Sequence, residues 1–336
     1  MLLRNKKRTG AVHCARVLAE LIALASVCLL PLAAQQPADR EAVFRSDTRL
    51  VLLQATVVDK NGSLVTNLGK EAFTVLENNV PQTLKIFRRE DVPVSLGLVI
   101  DSSGSMRGKR RKVESAALAL VQASQRQDEA FIVNFNDDAW LDVEFTSDLK
   151  SLEEGLSKID SRGGTAMRDA LSMSIDYLKE KGKKDKKILL VVTDGNDNTS
   201  AISLEKLVAK VQQSEALVYA IGILSEEEPR DARRAKRALD AITQAAGGLA
   251  YYPKDIEEVE KISPQLAQEI RSQYVLAYTP GIQALDGSYR QIRVQVKGPN
   301  RLVARTRSGY YATSDQAPAG RPATTPRPPS SNSVRP

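Results

Sequence analysis

Val94-Ser-Leu-Gly-Leu-Val-Ile-Asp101-Ser-Ser-Gly-Ser-Met106 decides how the rest of the chain is read. Val94, Leu96, Leu98, Val99 and Ile100 make a mostly apolar run, of the length of a strand covered on both faces. Asp101, Ser103 and Ser105 then place one carboxylate and two hydroxyls at the strand's carboxyl end, where open α/β sheets bind ligands. Donors made only of oxygen suit a hard cation such as Mg2+. Asp-x-Ser-x-Ser alone is a weak signal, because Asp and Ser also cap helices and shape turns.

Two later segments add donors of the same kind. Arg162-Gly-Gly-Thr165-Ala-Met-Arg-Asp-Ala-Leu171 is a glycine-rich turn opening a helix, with Thr165 at a capping position. Lys187-Ile-Leu-Leu-Val-Val-Thr-Asp194-Gly-Asn-Asp197 is a second buried strand that delivers a carboxylate and then a turn glycine. With these three pieces in order, the chain resembles the von Willebrand factor A domain with its metal-ion-dependent adhesion site. The resemblance implies that Ser103, Ser105 and Thr165 coordinate a cation directly, while Asp101 and Asp194 act mainly through bound water. It also implies Mg2+ as the ion, with Mn2+ or Ca2+ as alternatives, and a protein partner whose Asp or Glu carboxylate completes the coordination. Neutral hydroxyl ligands leave the ion electrophilic; two directly bound carboxylates would weaken its pull on an outside one.

Residues 94–272 alternate between strand and helix patterns, as a doubly wound sheet requires. Strands are expected at Val94–Ile100, Glu129–Phe135, Lys187–Thr193, Leu217–Ile223 and Leu249–Tyr252. Helices are expected at Val113–Gln127, Ala166–Lys181, Leu204–Ser214, Arg233–Ala246 and Ile256–Arg271. The fold class is therefore α/β, and the resemblance makes it a doubly wound, mostly parallel six-stranded sheet flanked by helices over residues 93–272. Both flanks read as β structure. Leu50–Val58, Phe73–Glu77 and Thr83–Arg88 lie before it, with turn signals at Asp59-Lys60-Asn61-Gly62 and Asn78-Asn79. Tyr274–Tyr278, Tyr289–Lys297, Leu302–Thr306 and Gly309–Tyr311 follow it. Neither flank has enough strands for a sandwich alone, so residues 44–92 and 273–312 are expected to pair into one small β-sandwich. The resemblance to the acidobacterial type of A-domain protein, which carries both flanks, implies the same.

The ends of the chain are read differently. Arg4, Lys6, Lys7, Arg8 and Arg16 precede the apolar run Leu21–Leu30, and residues 1–34 have the pattern of a signal peptide ending at Leu32-Ala33-Ala34. The run is short for a membrane span, which takes about 20 residues; an uncleaved N-terminal anchor is the alternative. The protein is expected to be exported, to the periplasm or beyond the cell, with no membrane span in the mature chain. His13, Cys14 and Cys28 all lie in this segment. A mature chain without thiol or imidazole has no disulfide, no Cys or His nucleophile and no zinc site of those ligands. Losing five basic residues and Glu20 lowers the formal net charge from +7 to +3, so the basic balance is no argument for nucleic acid as a partner. Residues 313–336 are rich in Pro, Ala, Ser and Thr and are expected to be disordered.

Other features have ordinary readings beside functional ones. Arg107, Lys109, Arg110, Arg111 and Lys112 read as a positive rim that attracts an acidic partner, or as a solvated loop. Asp197 is a second-cation candidate or simple turn chemistry, and Trp140 reads as a core or sandwich contact. Lys181–Lys187 reads as a polar connection, and the acids and bases of residues 226–237 suit a helix start. The expected function is a non-enzymatic, metal-dependent adhesion module. The alternatives are an assembly component of an envelope complex and a metal-dependent hydrolase, which would need an Asp or Glu base.

Overall fold

A computed structural model describes residues 49–313 apart from 90, 124, 158–160, 226 and 300. The signal-type segment 1–34, Glu226 and the tail beyond Thr313 lie outside the described residues. The first flank holds β1 (Val51–Val58), β2 (Phe73–Glu77), β3 (Val80–Gln82) and β4 (Leu84–Arg88). Asn78 and Asn79 turn β2 back onto β3 with φ of 48° and 65°, the left-handed pair that tight hairpins need.

A three-layer unit follows. Its elements are β5 (Val94–Asp101), α1 (Arg110–Gln122), β6 (Glu129–Phe135), β7 (Ala139–Thr146), α2 (Leu149–Ser157), α3 (Met167–Lys181) and β8 (Lys186–Thr193). It continues through α4 (Leu204–Gln213), β9 (Leu217–Gly222), α5 (Pro229–Ala246), β10 (Ala250–Tyr251) and α6 (Glu257–Arg271). The six strands lie in the order β10-β9-β8-β5-β6-β7. All neighbours run parallel except β6 and β7. This is the expected doubly wound, mostly parallel sheet.

Strand alternation explains why β5 is buried along its whole length. Leu96, Leu98 and Ile100 face a core completed by Val113, Leu120, Leu152, Leu266 and Ile270, so α1, α2 and α6 cover that face. Val99, one residue out of phase, faces the core that α3, α4 and α5 build with Leu171, Leu207 and Leu239. Each face therefore carries three helices, which suits a mostly apolar strand.

The closing flank supplies β11 (Tyr274–Tyr278), β12 (Tyr289–Val296), β13 (Val303–Arg305) and β14 (Gly309–Tyr311). The two flanks interleave. One four-stranded sheet has the order β13-β1-β11-β4 and the other β14-β12-β2-β3. Leu53 and Ala55 of β1, Val75 of β2, Leu276 of β11 and Ile292 of β12 share one apolar core. A small sandwich thus forms from strands on both sides of the six-stranded unit, as neither flank could do alone.

Several expectations are corrected. The edge strand β7 and helix α2 were not expected. β7 alternates half-buried and exposed residues, the pattern of an edge strand with one face to water. Trp140 lies on it with 36% of its surface exposed and is not a core residue. Helix α1 starts at Arg110, inside the basic run, and ends at Gln122 instead of Gln127. Thr165 does not cap α3: that helix starts at Met167 after Ala166, with no side-chain cap. The backbone of Thr165 is engaged elsewhere, since its N–H donates to Asn198 Oδ1 and its carbonyl accepts from the N–H of Asn198.

Candidate metal centre

The chain leaves β5 for β6 on one side and later enters β8 on the other, so the strand order reverses between β5 and β8. The crevice at the carboxyl ends of these strands is where doubly wound sheets bind ligands. Ile100 pairs with Val192 across the two strands. The register therefore brings Asp101 beside Thr193, and the loop after β5 beside Asp194.

Hydrogen bonds then fix the loop. Asp101 Oδ1 accepts the Ser103 N–H at 2.8 Å, and Asp101 Oδ2 accepts the Thr193 hydroxyl at 2.5 Å. Residues Gly104–Gly108 form a 3-10 turn, anchored by Met106, which is buried. Ser103 Oγ lies 3.1 Å from Ser105 Oγ, and Ser105 Oγ donates to Asp194 Oδ1 at 2.8 Å. Four of the five expected residues thus form one connected chain of polar groups. The fifth, Thr165, is placed by its loop. Arg162 N–H donates to the Ser102 carbonyl, and Gly104 N–H donates to the Gly163 carbonyl. Gly163 has φ +74°, a backbone conformation that side chains strain, so glycine suits this approach.

Asp101, Ser103, Thr165 and Asp194 are buried, while Ser105 is exposed at the mouth. Burial pushes the Asp101 carboxyl up to about 6, and the nearby charge of Asp194 adds to the rise. The bonds from Thr193 and Ser103 oppose it. Glu227, on the loop before α5, is also pushed up, first by burial and then by the charge of Asp194.

The donor set fits a small hard cation. Its hydroxyl and carboxylate oxygens are donors of the kind that Mg2+ takes. Among the described residues, no group of three or more His, Cys, Asp or Glu side chains could hold a metal ion, so this site, with two carboxylates, depends on its hydroxyls. Asp197 is committed elsewhere: it accepts from the Arg168 guanidinium at 2.9 Å and from the Ser200 hydroxyl at 2.7 Å.

The basic run is less of an outward rim than its sequence implies. Arg107 donates to the Ser161 carbonyl, Arg110 pairs with Glu114, and Lys112 pairs with Glu260. Lys109 turns inward, its Nζ 2.7 Å from Asp194 Oδ2. Two functional neighbours were thus missed from sequence. Thr193 precedes Asp194 at the end of an apolar run, and Lys109 stands among four other cations. Nothing in the sequence alone sets either apart.

Residues 96–196 match the family model of the von Willebrand factor type A domain. The chain carries an A domain. The matched span opens within β5 and holds all five of the candidate residues. Calcium-activated chloride channel regulator 1 of Equus caballus is 26% identical over 166 residues, covering 47% of this chain and 17% of its own. Inter-alpha-trypsin inhibitor heavy chain H4 of Sus scrofa is 22% identical over 186 residues, covering 52% of this chain and 18% of its own. The chain spans less than a fifth of the length of either relative. Among solved structures, a von Willebrand factor type A protein from Catenulispora acidiphila is 13% identical, with TM-score 0.47, covering 81% of this chain and 76% of that one. The vWF domain of a type V pili tip protein from Porphyromonas gingivalis is 12% identical, with TM-score 0.45, covering 54% and 95%. No helix among the described residues is long and apolar enough to cross a membrane.

Proposed function

We propose that the protein is an exported binding module that holds a protein partner through a divalent cation. Ser103, Ser105 and Thr165 would hold the ion, with Asp101 and Asp194 behind them supplying negative charge. The ion, Mg2+ or else Mn2+ or Ca2+, would supply an electrophilic position for an Asp or Glu carboxylate of the partner. The connected run from Asp101 through Ser103 and Ser105 to Asp194 carries this reading. It gathers oxygen donors at the switch point of the sheet and opens to solvent at Ser105. Bridging of this kind makes and breaks no covalent bond, so it needs no general base beside the ion. Export rests on the basic and apolar pattern of residues 1–34.

Calorimetric titration with Mg2+, Mn2+ and Ca2+ tests the reading, beside a Ser103→Ala/Ser105→Ala variant. Saturable binding by the wild type that is lost in the variant is expected. Equal binding by a folded variant would move any ion away from these hydroxyls and overturn the assignment. Capture of a partner should in turn be lost in EDTA.

A further inference from the structure

Lys109 is buried at 8% exposure, although it belongs to a run of basic residues next to the candidate site. It occupies the N-cap position of α1, where a cation opposes the helix macrodipole. Its backbone is fixed there: the N–H donates to the Met106 carbonyl, and its carbonyl accepts from Val113. The side chain reaches across to Asp194, whose side chain is wholly buried. Asp194 thus serves two groups at once. Its Oδ1 accepts the Ser105 hydroxyl, and its Oδ2 accepts the Lys109 ammonium.

We propose that Lys109 is a tethered counter-cation of the metal site, which neutralises Asp194 in the ion-free protein and sets how tightly a divalent ion binds. This rests on the cation site proposed above. Asp101 and Asp194 together offer two negative charges to an incoming ion, and the Lys109 ammonium cancels one of them. Affinity for hard cations rises with the charge of the ligand set, so the pair holds the site in a weak-binding state. A divalent ion must enter against the ammonium's repulsion or drive the side chain off Asp194. The ammonium also spares a buried carboxylate from standing unpaired when no ion is present. The site is thereby kept folded without its metal, and the ion becomes a ligand that comes and goes.

Titration of the full-length protein and its Lys109→Gln variant with Mg2+ tests this, together with thermal unfolding in EDTA and in Mg2+. The variant should bind Mg2+ at least about tenfold more tightly than the wild type, and a tenfold change is about 1.4 kcal/mol. Its melting temperature should fall in EDTA and recover in Mg2+ by more than the wild type gains, because an ion that binds only the folded state stabilises it. Lys109→Arg keeps the charge and should bind Mg2+ as the wild type does. Equal affinity in wild type and Lys109→Gln would overturn the role of Lys109 and leave the metal site standing. Undiminished binding after adding Ser103→Ala and Ser105→Ala to Lys109→Gln would instead overturn the site, as would no binding by either chain. A Lys109→Gln chain that folds only when Mg2+ is present supports the proposal; one that stays unfolded with or without Mg2+ overturns it.

Discussion

Glu269 on α6, the last helix of the six-stranded unit, and Arg305 in the sandwich form an ion pair of 2.8 Å, with the Glu269 side chain 6% exposed. The same carboxylate accepts hydroxyls from Tyr219, Tyr251 and Thr56, and Gln273 bonds to both Tyr219 and Thr56. Strands β1 and β13 of the sandwich are thus tied through one acid to α6, β9 and β10 of the six-stranded unit. Removing one partner of a buried pair costs about 3–5 kcal/mol, because the rest stay buried without it. Glu269→Ala should lose about that much in urea unfolding, and Arg305→Ala should be non-additive with it. A loss under about 1 kcal/mol would mean that the two parts are held by apolar contact alone.

Gly97 sits in the middle of β5, and its neighbours on β6 and β8 close over it. A Cβ there would lie 2.4 Å from Phe131 Cζ and 2.5 Å from Leu189 Cδ2. Phe131 has little room to yield, since its ring packs against Phe145 at 4.8 Å and Tyr177 at 4.9 Å between centroids. Overpacking a core usually costs about 1–3 kcal/mol. Gly97→Ala should therefore unfold at lower urea by about that amount, with an unchanged slope. An equally stable variant would mean that the sheet can widen at its centre.

The contrast between Asp101 and Lys109 shows what was legible in the sequence. Asp101 ends an apolar run and begins a pattern of hydroxyls, so type and position along the chain reveal it. Lys109 has the same surroundings in sequence as Arg110, and only the start of α1 aims it at Asp194. The buried strands were readable because their apolar runs end in turn residues. β7 carried a signal as well, since Leu141, Val143 and Phe145 alternate with Trp140, Asp142 and Glu144 as in a half-buried edge strand. Glu269 sits among Gln268 and Arg271 on an amphipathic helix, where an acid ordinarily faces water. Yet it stands three residues after Leu266 on the buried stripe, so periodicity places it inward; what periodicity cannot show is that Thr56, Tyr219, Tyr251 and Arg305 receive it there.

Lys186 should make stability depend on pH above neutrality. Its side chain is buried and donates to the Ile270 carbonyl at the end of α6. Burial, and then the positive charge of Arg271, push its ammonium down to about 7 from 10.5. Between those values the unfolded chain holds a proton that the folded chain does not, so stability rises with pH. The contribution is complete above about 10.5 and is lost as pH falls through about 7. Measured against Lys186→Met, wild-type unfolding free energy should climb between pH 7 and 10 by at most about 1.4 kcal/mol per unit. A difference that stays flat over that window would show that Lys186 remains charged in the fold.

Thr193 should matter to ion binding without touching the ion. Its hydroxyl donates to Asp101 Oδ2, opposite the oxygen that takes the Ser103 N–H. Those two bonds orient the carboxylate and oppose the burial that pushes its proton affinity up. Thr193→Val keeps the shape and removes the donor, leaving Asp101 with one fixed oxygen and a stronger hold on its proton. Bonds that orient metal-site residues in this way are worth about 10–100-fold in metal affinity. If the cation site is as proposed, Mg2+ affinity at pH 7 should fall within that range. The loss should shrink at pH 8.5, where Asp101 is ionised in both proteins, leaving only the part due to orientation. Titrations at the two pH values separate the effects: a loss independent of pH means positioning alone, and no loss at either value removes Thr193 from the site.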